Sequence, residues 1–301
     1  MDGDTTREPQ ERIGQSQPPA GPVAATAMTS PSPTTAGGAR ATRVGLHDIA
    51  KTFVDDGDGE EVVAVDGVSF DVRDAEFVTI VGPSGCGKST ILNVIAGLEE
   101  PTAGRIVIDG AEVADRRAHF GYMFQKDLLF PWRTIRNNVA VGLEVLGVPK
   151  KDARAQAQAI LDRFDLGRFA NKYPIQLSGG MRQRVALMRT LLCEREILLL
   201  DEPFGALDAL TRSIMQEWLL GIWEKDHRTI IFITHDIEEA IFLSDRVLMM
   251  SARPGVIKDE IEIDLGRPRD HRIVTTPRFT ELKKAILEQI YEESLKADRP
   301  D

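Results

Sequence analysis

Apolar residues fall along the chain in runs of different kinds. Around 44–53 and 62–72 they alternate with polar residues, the two-residue period of half-buried strands. The acidic, glycine-containing stretch 55–61 between them predicts a hairpin turn. At Phe77–Val81, 197–200 and 230–233 the runs are short, aliphatic and uninterrupted, which predicts strands buried on both faces. Helical patterns separate these runs, and strand–helix alternation predicts an α/β layer on a parallel sheet. Between Pro131 and Tyr173 no comparable strand appears. Residues 151–169 carry apolar and charged positions at helical spacing, so this stretch reads as a helical insert. Later, Arg246–Met250 leads through Ala252-Arg253-Pro254-Gly255 into the alternating stretch 260–265, a second hairpin. Thr276-Pro277 then opens a helix with Phe279, Leu282, Ile286 and Ile290 on one face.

Composition narrows this picture. Residues 1–43 are rich in Pro, Gly, Ser and Thr and hold no aromatic residue, which predicts a disordered tail. Charges cancel within that tail, so the net charge of −10 belongs to the remainder and argues against nucleic acid as a partner. The acids at 55–61 do not match an EF-hand loop. No apolar run approaches the roughly 20 residues that span a bilayer, and the N-terminus does not read as a secretory signal. Cys86 and Cys193 cannot build a disulfide framework. Together these features predict a soluble cytoplasmic protein.

Chemistry enters with Gly82-Pro83-Ser84-Gly85-Cys86-Gly87-Lys88-Ser89, a full G-x-x-x-x-G-K-[ST] loop between a strand and the helix-like 90–98. Glycines let backbone N–H groups turn toward phosphate oxygens, and the N-terminus of the following helix adds unpaired donors, Thr90 included. Lys88 would reach the β- and γ-phosphates, and the Ser89 hydroxyl would bind Mg²⁺. A dinucleotide loop fits worse, because Thr90 stands where a third glycine would be. Cys86 has two readings: a thiol activated by the helix end and Lys88, or a small residue that fits.

Two further strand ends carry polar groups. The aliphatic run 197–200 ends in Asp201 and Glu202 at the edge where parallel sheets bind ligands. Asp201 suits the Mg²⁺ shell, and Glu202 is placed to polarise an attacking water. The run 230–233 leads to His235, a candidate γ-phosphate sensor; His47, His119, His227 and His271 lack such a context.

Leu177-Ser178-Gly179-Gly180-Met181-Arg182-Gln183-Arg184 resembles the LSGGQ signature of ATP-binding-cassette (ABC) ATPases, with Met181 in place of the usual Gln. The resemblance covers roughly 44–265. It implies an α/β P-loop NTPase cassette with a mixed-sheet core, an antiparallel β-subdomain, a helical insert at about 126–178 and a C-terminal helical extension at 266–301. It implies that Ser178, Gly179 and Gly180 contact ATP held by a second, head-to-tail cassette, most simply another copy of the chain. Gln125 matches the Q-loop glutamine, a sensor of Mg²⁺ and water. Asp208, ending Gly205-Ala206-Leu207-Asp208, matches the D-loop, and His235 matches the switch histidine. Phe53 matches the aromatic that stacks on adenine.

A finer resemblance is to importer ATPases of the nitrate/sulfonate/taurine group. It rests on Phe124-Gln125-Lys126-Asp127-Leu128-Leu129-Phe130-Pro131-Trp132, on the stretches 201–208 and 234–240, and on the turn at 251–255. It implies an ATP-hydrolysing subunit at the cytoplasmic face of the cell membrane. Its partners would be transmembrane permease subunits, contacted near 127–132, and indirectly a solute-binding protein. An exporter or lipid-transport ATPase is the alternative. A chromosome-maintenance ATPase is excluded, because Gly82 and Leu177 stand too close for a long intervening coiled coil, and a two-cassette translation factor is excluded by the single motif set.

Overall fold

The structure, a computed structural model, describes residues 40–55, 57 and 59–297. Most of the expected tail, 1–39, lies outside the described residues, as do Asp56 and Asp58 of the acidic turn. Regular structure starts at Thr42, slightly before the expected onset at 44. Strands β1 (Thr42–Val54) and β2 (Glu61–Arg73) form the expected hairpin, closed by Asp55 N–H on Glu60 O at 2.9 Å. Next come β3 (Phe77–Val81), α1 (Lys88–Ala96), β4 (Ala103–Ile108), β5 (Ala111–Glu112) and β6 (Phe120–Met123). The insert holds α2 (Ile135–Val139), α3 (Val141–Val145) and α4 (Lys150–Arg163), and leads to α5 (Gly179–Leu191). Then follow β7 (Ile197–Asp201), α6 (Ala209–Asp226), β8 (Thr229–Ile233), α7 (Ile237–Leu243), β9 (Arg246–Met250), β10 (Ile257–Glu262) and α8 (Pro277–Ala297).

Two sheets result, one antiparallel in the order β2-β1-β4-β5 and one in the order β10-β9-β3-β8-β7-β6. In the second, β9, β3, β8, β7 and β6 run parallel and β10 closes the edge antiparallel. The sheet is therefore mixed. The uninterrupted aliphatic runs follow from burial on both faces. Phe77, Leu198, Leu200, Ile230, Phe232, Val247 and Met249 point into one core with the helices of the insert, α5, α6, α7 and α8. Their neighbours Val78, Ile80, Ile197, Leu199, Ile231, Ile233 and Leu248 point the other way, against α1 and the antiparallel sheet. With a period of two residues, both sets must be apolar. Helix α8 buries Phe279, Leu282 and Ile286 in the first core, so the C-terminal extension packs as part of the same body.

Two expectations need adjustment. Strand β9 is the first arm of a hairpin, as the sequence suggests, but it also pairs parallel with β3. Its hairpin partner spans Ile257–Glu262 rather than 260–265. The sheet matters for function because β3, β8, β7 and β6 are neighbours and run the same way. Their carboxyl ends deliver the phosphate loop, His235, the Asp201–Glu202 pair and Gln125 to one edge.

Candidate nucleotide site

The phosphate loop turns from β3 into α1 at Gly87, whose φ is 102°. A Cβ there would lie 2.7 Å from Val65 Cγ1 and 2.8 Å from Ala64 O, so only glycine fits. Gly87 caps α1 without a side-chain bond, which leaves the first amides of the helix to a ligand. Lys88 is buried, and its ammonium donates to Gly82 O at 2.9 Å and Pro83 O at 2.8 Å. Those carbonyls hold the charge inside the loop. Gly82, Ser84, Gly85, Ser89 and Thr90 lie in the same loop and helix start.

Cys86 is 1% exposed, and burial pushes its thiol pKa up despite the neighbouring Lys88. Of the two readings of Cys86, burial favours the small residue that fits, because desolvation of the thiolate outweighs the cation. The turn at 251–255 backs the loop. A Cβ on Gly255 would fall 2.1 Å from Cys86 O, and the Arg253 guanidinium donates to Gly85 O at 3.1 Å.

Asp201 ends β7 almost fully buried. Burial raises its carboxyl pKa against the opposing pull of the nearby Ser89 hydroxyl, and its Oδ1 has no hydrogen-bond partner. An unpaired buried carboxylate oxygen beside a hydroxyl suits a hard, oxygen-seeking cation. Among the described residues no group of three or more His, Cys, Asp or Glu could hold a metal. A cation here would draw its other ligands from the Ser89 hydroxyl, the Gln125 amide oxygen, phosphate and water.

Glu202 is the hub of the edge. Gln125 Nε2 donates to its Oε2 at 3.3 Å, and His235 Nδ1 lies 3.3 Å from its Oε1. The three residues expected to act together thus meet, each from the end of a different strand. Glu202 itself sits at φ 47°, in the left-handed region. Its N–H is held by Ile233 O at 2.9 Å, and its carbonyl accepts from Gln183 Nε2 at 2.9 Å. A carboxylate between an amide donor and an imidazole can take a proton from a water and pass it on.

Other expected residues lie elsewhere. Ser178 caps α5, its Oγ accepting Met181 N–H at 3.3 Å, and Ser178 and Gly179 are exposed. Met181 packs half-buried against the first core. Gly180 lies against the turn before α6: a Cβ there would be 3.1 Å from Ala206 O. Asp208 caps α6 by accepting Thr211 N–H at 3.0 Å; the Thr211 side chain first, and then this amide, hold its carboxyl below the usual carboxylate range. Phe53 is half-exposed, with Lys51 Nζ 4.9 Å from its ring centre. Among the described residues no hydrogen bond or ion pair joins Ser178, Gly179 or Gly180 to the phosphate loop.

Sequence reasoning missed three features. Gln183 holds Glu202 and Ala206 through both ends of its amide. Its signal was available: it stands three and four residues after Gly180 and Gly179, on the same helix face. Asp127 is clamped to α5, its carboxylate 2.9 Å from Arg182 Nε and its carbonyl 2.9 Å from Arg189. Around this clamp lies a cavity of about 420 Å³, while Leu128, Trp132 and Ile175 stand exposed nearby in sequence. Glu239, buried on α7 just behind His235, accepts from Gln216 at 2.8 Å, and burial pushes its carboxyl up to about 7.

The family model described as "ABC transporter" matches residues 65–205. An uncharacterised ABC transporter ATP-binding protein of Methanocaldococcus jannaschii is 47% identical over 84% of this chain and 92% of its own length. The taurine import ATP-binding protein TauB of Rhizobium johnstonii is 48% identical over 76% and 89%. The aliphatic sulfonates import ATP-binding protein SsuB of Bacillus cereus is 46% identical over 76% and 88%. Among solved structures, an ATP-binding cassette captured as a post-hydrolysis dimer with ADP and Pi superposes with a TM-score of 0.66 at 34% identity. That match covers 74% of this chain and all of the other.

Proposed function

The chain belongs to the ABC transporter family of ATP-binding proteins, and on that premise we propose that it is the ATP-hydrolysing subunit of an importer for a small solute such as taurine, a sulfonate or nitrate. One observation carries the hydrolytic reading: the Glu202 carboxylate lies between Gln125 and His235, on the sheet edge that also holds the phosphate loop. The import reading is supported by the names of the relatives, and these disfavour an exporter or a lipid-transport ATPase.

ATP enters the phosphate loop, where the amides of 84–90 and Lys88 meet its phosphates, while Phe53 offers a face for adenine. Mg²⁺, held by Ser89, Asp201 and Gln125, would neutralise phosphate charge when bound. Glu202 takes a proton from the attacking water, and His235 fixes the geometry at the γ-phosphate. Ser178, Gly179 and Gly180 of a second copy close the site from the opposite side, with Asp208 at the seam. Closure of the two copies supplies the motion, and hydrolysis resets it.

No helix among the described residues is long and apolar enough to cross a membrane. The spans come from permease subunits, which dock on the exposed Leu128 and Trp132 of the insert and hold the chain at the cytoplasmic face. A solute-binding protein delivers cargo on the far side. Reconstitution of the chain with its permease and binding protein in vesicles tests this. ATPase activity should rise several-fold when the binding protein carries taurine or an alkanesulfonate. Equal rates with loaded and empty binding protein, for every anion tried, would contradict the import reading.

A further inference from the structure

The buried amide of Gln183 joins elements that the motifs treat separately. Its Nε2 donates to Glu202 O at 2.9 Å, and its Oε1 accepts Ala206 N–H at 2.7 Å. The residue is 6% exposed, so neither bond is exchanged for water without cost. Glu202 holds a left-handed backbone, which a residue with a Cβ keeps only where its surroundings fix it. Three bonds fix it: Glu202 N–H to Ile233 O, Gly205 N–H to Glu202 O at 3.2 Å, and the Gln183 amide. A second contact lies one turn earlier on α5. Gly180 approaches so closely that a Cβ would stand 3.1 Å from Ala206 O and 3.2 Å from Leu207 Cδ2. The first turn of α5 therefore rests on the same backbone that Gln183 grips. A shift of that turn cannot leave Ala206 and Glu202 where they were, because close-packed contacts transmit displacement.

We propose that Gln183 is a positioning residue that ties the signature turn of one chain to the Glu202 backbone of the same chain. Hydrolysis in one site then depends on the nucleotide that the signature turn meets in the other. The proposal rests on the head-to-tail reading above. In that arrangement, Ser178 and Gly180 touch ATP bound by the second copy, while Glu202 serves the chain's own ATP. Gln183 is the one side chain between the two: it runs from the helix that reads one nucleotide to the backbone of the base that serves the other.

The test compares the full-length chain with Gln183→Leu, which removes both bonds. Gln183→Glu keeps the size and the bond from Ala206 but loses the donor to Glu202 O. ATP turnover, ATP affinity and the Hill coefficient are measured for each, with melting temperature as a folding control. In the wild type the Hill coefficient should exceed about 1.5, as two coupled sites require. In Gln183→Leu, turnover should fall about tenfold or more and the Hill coefficient should drop to about 1. Affinity for a fluorescent ATP analogue should stay within about twofold, the mark of a lost positioning effect. If Gln183→Leu does not fold, Gln183→Glu decides by the same readouts. Turnover and cooperativity like the wild type's would overturn the proposal. So would lower turnover with an unchanged Hill coefficient, which marks local support of Glu202 alone. A wild-type chain without cooperativity, and without ATP-driven dimers when carrying Glu202→Gln, would overturn the head-to-tail reading and the relay with it.

Discussion

The phosphate loop and the signature turn are both glycine-rich entries to a helix, yet they are built for opposite situations. The loop is enclosed from behind only: Cys86 and Lys88 are buried, Gly87 admits no Cβ and the turn at 251–255 presses on it, while Ser84, Gly85 and Ser89 face outward. Its helix start carries no side-chain cap. The signature turn is open. Ser178 and Gly179 are exposed, and Ser178 uses its own hydroxyl to satisfy Met181 N–H. One helix start is thus prepared to hold phosphate by itself, whereas the other offers an outward face. On the proposed head-to-tail reading, the loop would be the binding half-site and the turn a separate closing half-site, the two serving different nucleotides.

Variants can break this contrast, and the largest effect belongs to Glu202. Glu202→Gln keeps the shape and the contact with Gln125 but removes the base. Turnover should fall about 100- to 1000-fold, with ATP affinity preserved in a filter-binding assay. Near-normal turnover would remove Glu202 from the role of base. Lys88→Ala strikes the enclosed half. Loss of a charge-assisted contact worth about 1.5–3 kcal/mol should weaken ATP binding about 10- to 100-fold, measured by calorimetry on the single chain. Unchanged affinity would contradict the placement of Lys88.

A smaller, pH-dependent effect is expected behind the switch histidine. Burial raises the Glu239 carboxyl from 4.5 to about 7, so the folded chain binds that proton more tightly than the unfolded one. Stability from this group is fully present below pH 4.5, falls as pH rises, and is lost above about 7. Glu239→Gln keeps an acceptor for Gln216 and removes the titration. At pH 8 it should stabilise the fold by about 3 kcal/mol, seen as a higher denaturant midpoint. The gain should shrink toward pH 5. A gain independent of pH would mean that the carboxyl does not titrate as placed.

Legibility in the sequence followed the range of each interaction. The buried strands could be read because burial on both faces demands apolar residues at every position, as at Phe77–Val81 and Thr229–Ile233. The phosphate loop, Asp201, Glu202 and His235 could be placed because each follows such a strand directly. Strand β6 was hidden. It is four residues long, and its Gly121 lies under Leu198 of the adjacent strand, whose Cδ2 would stand 2.8 Å from a Cβ. That close approach removes the β-branched residue that would have marked a strand. The pairing of β9 with β3 was hidden too, because its partner is far off in the chain. The role of Gln183 was hidden for the same reason: its spacing from Gly179 and Gly180 marks its helix face, but only the fold brings its amide to Glu202 and Ala206. The enclosure of Cys86, decisive for its thiol, depends on the distant Gly255.

The central claim is that nucleotide bound by one chain is closed by the signature turn of another. Sedimentation of the Glu202→Gln chain with saturating ATP tests it most directly, alone and with Ser178→Arg added at the exposed turn. The single variant should move from a 33.3 kDa species to a dimer on adding ATP. The double variant should bind ATP with an affinity within about twofold and remain monomeric. A double variant that dimerises as readily as the single one, or a single variant that stays monomeric while saturated with ATP, would contradict the account.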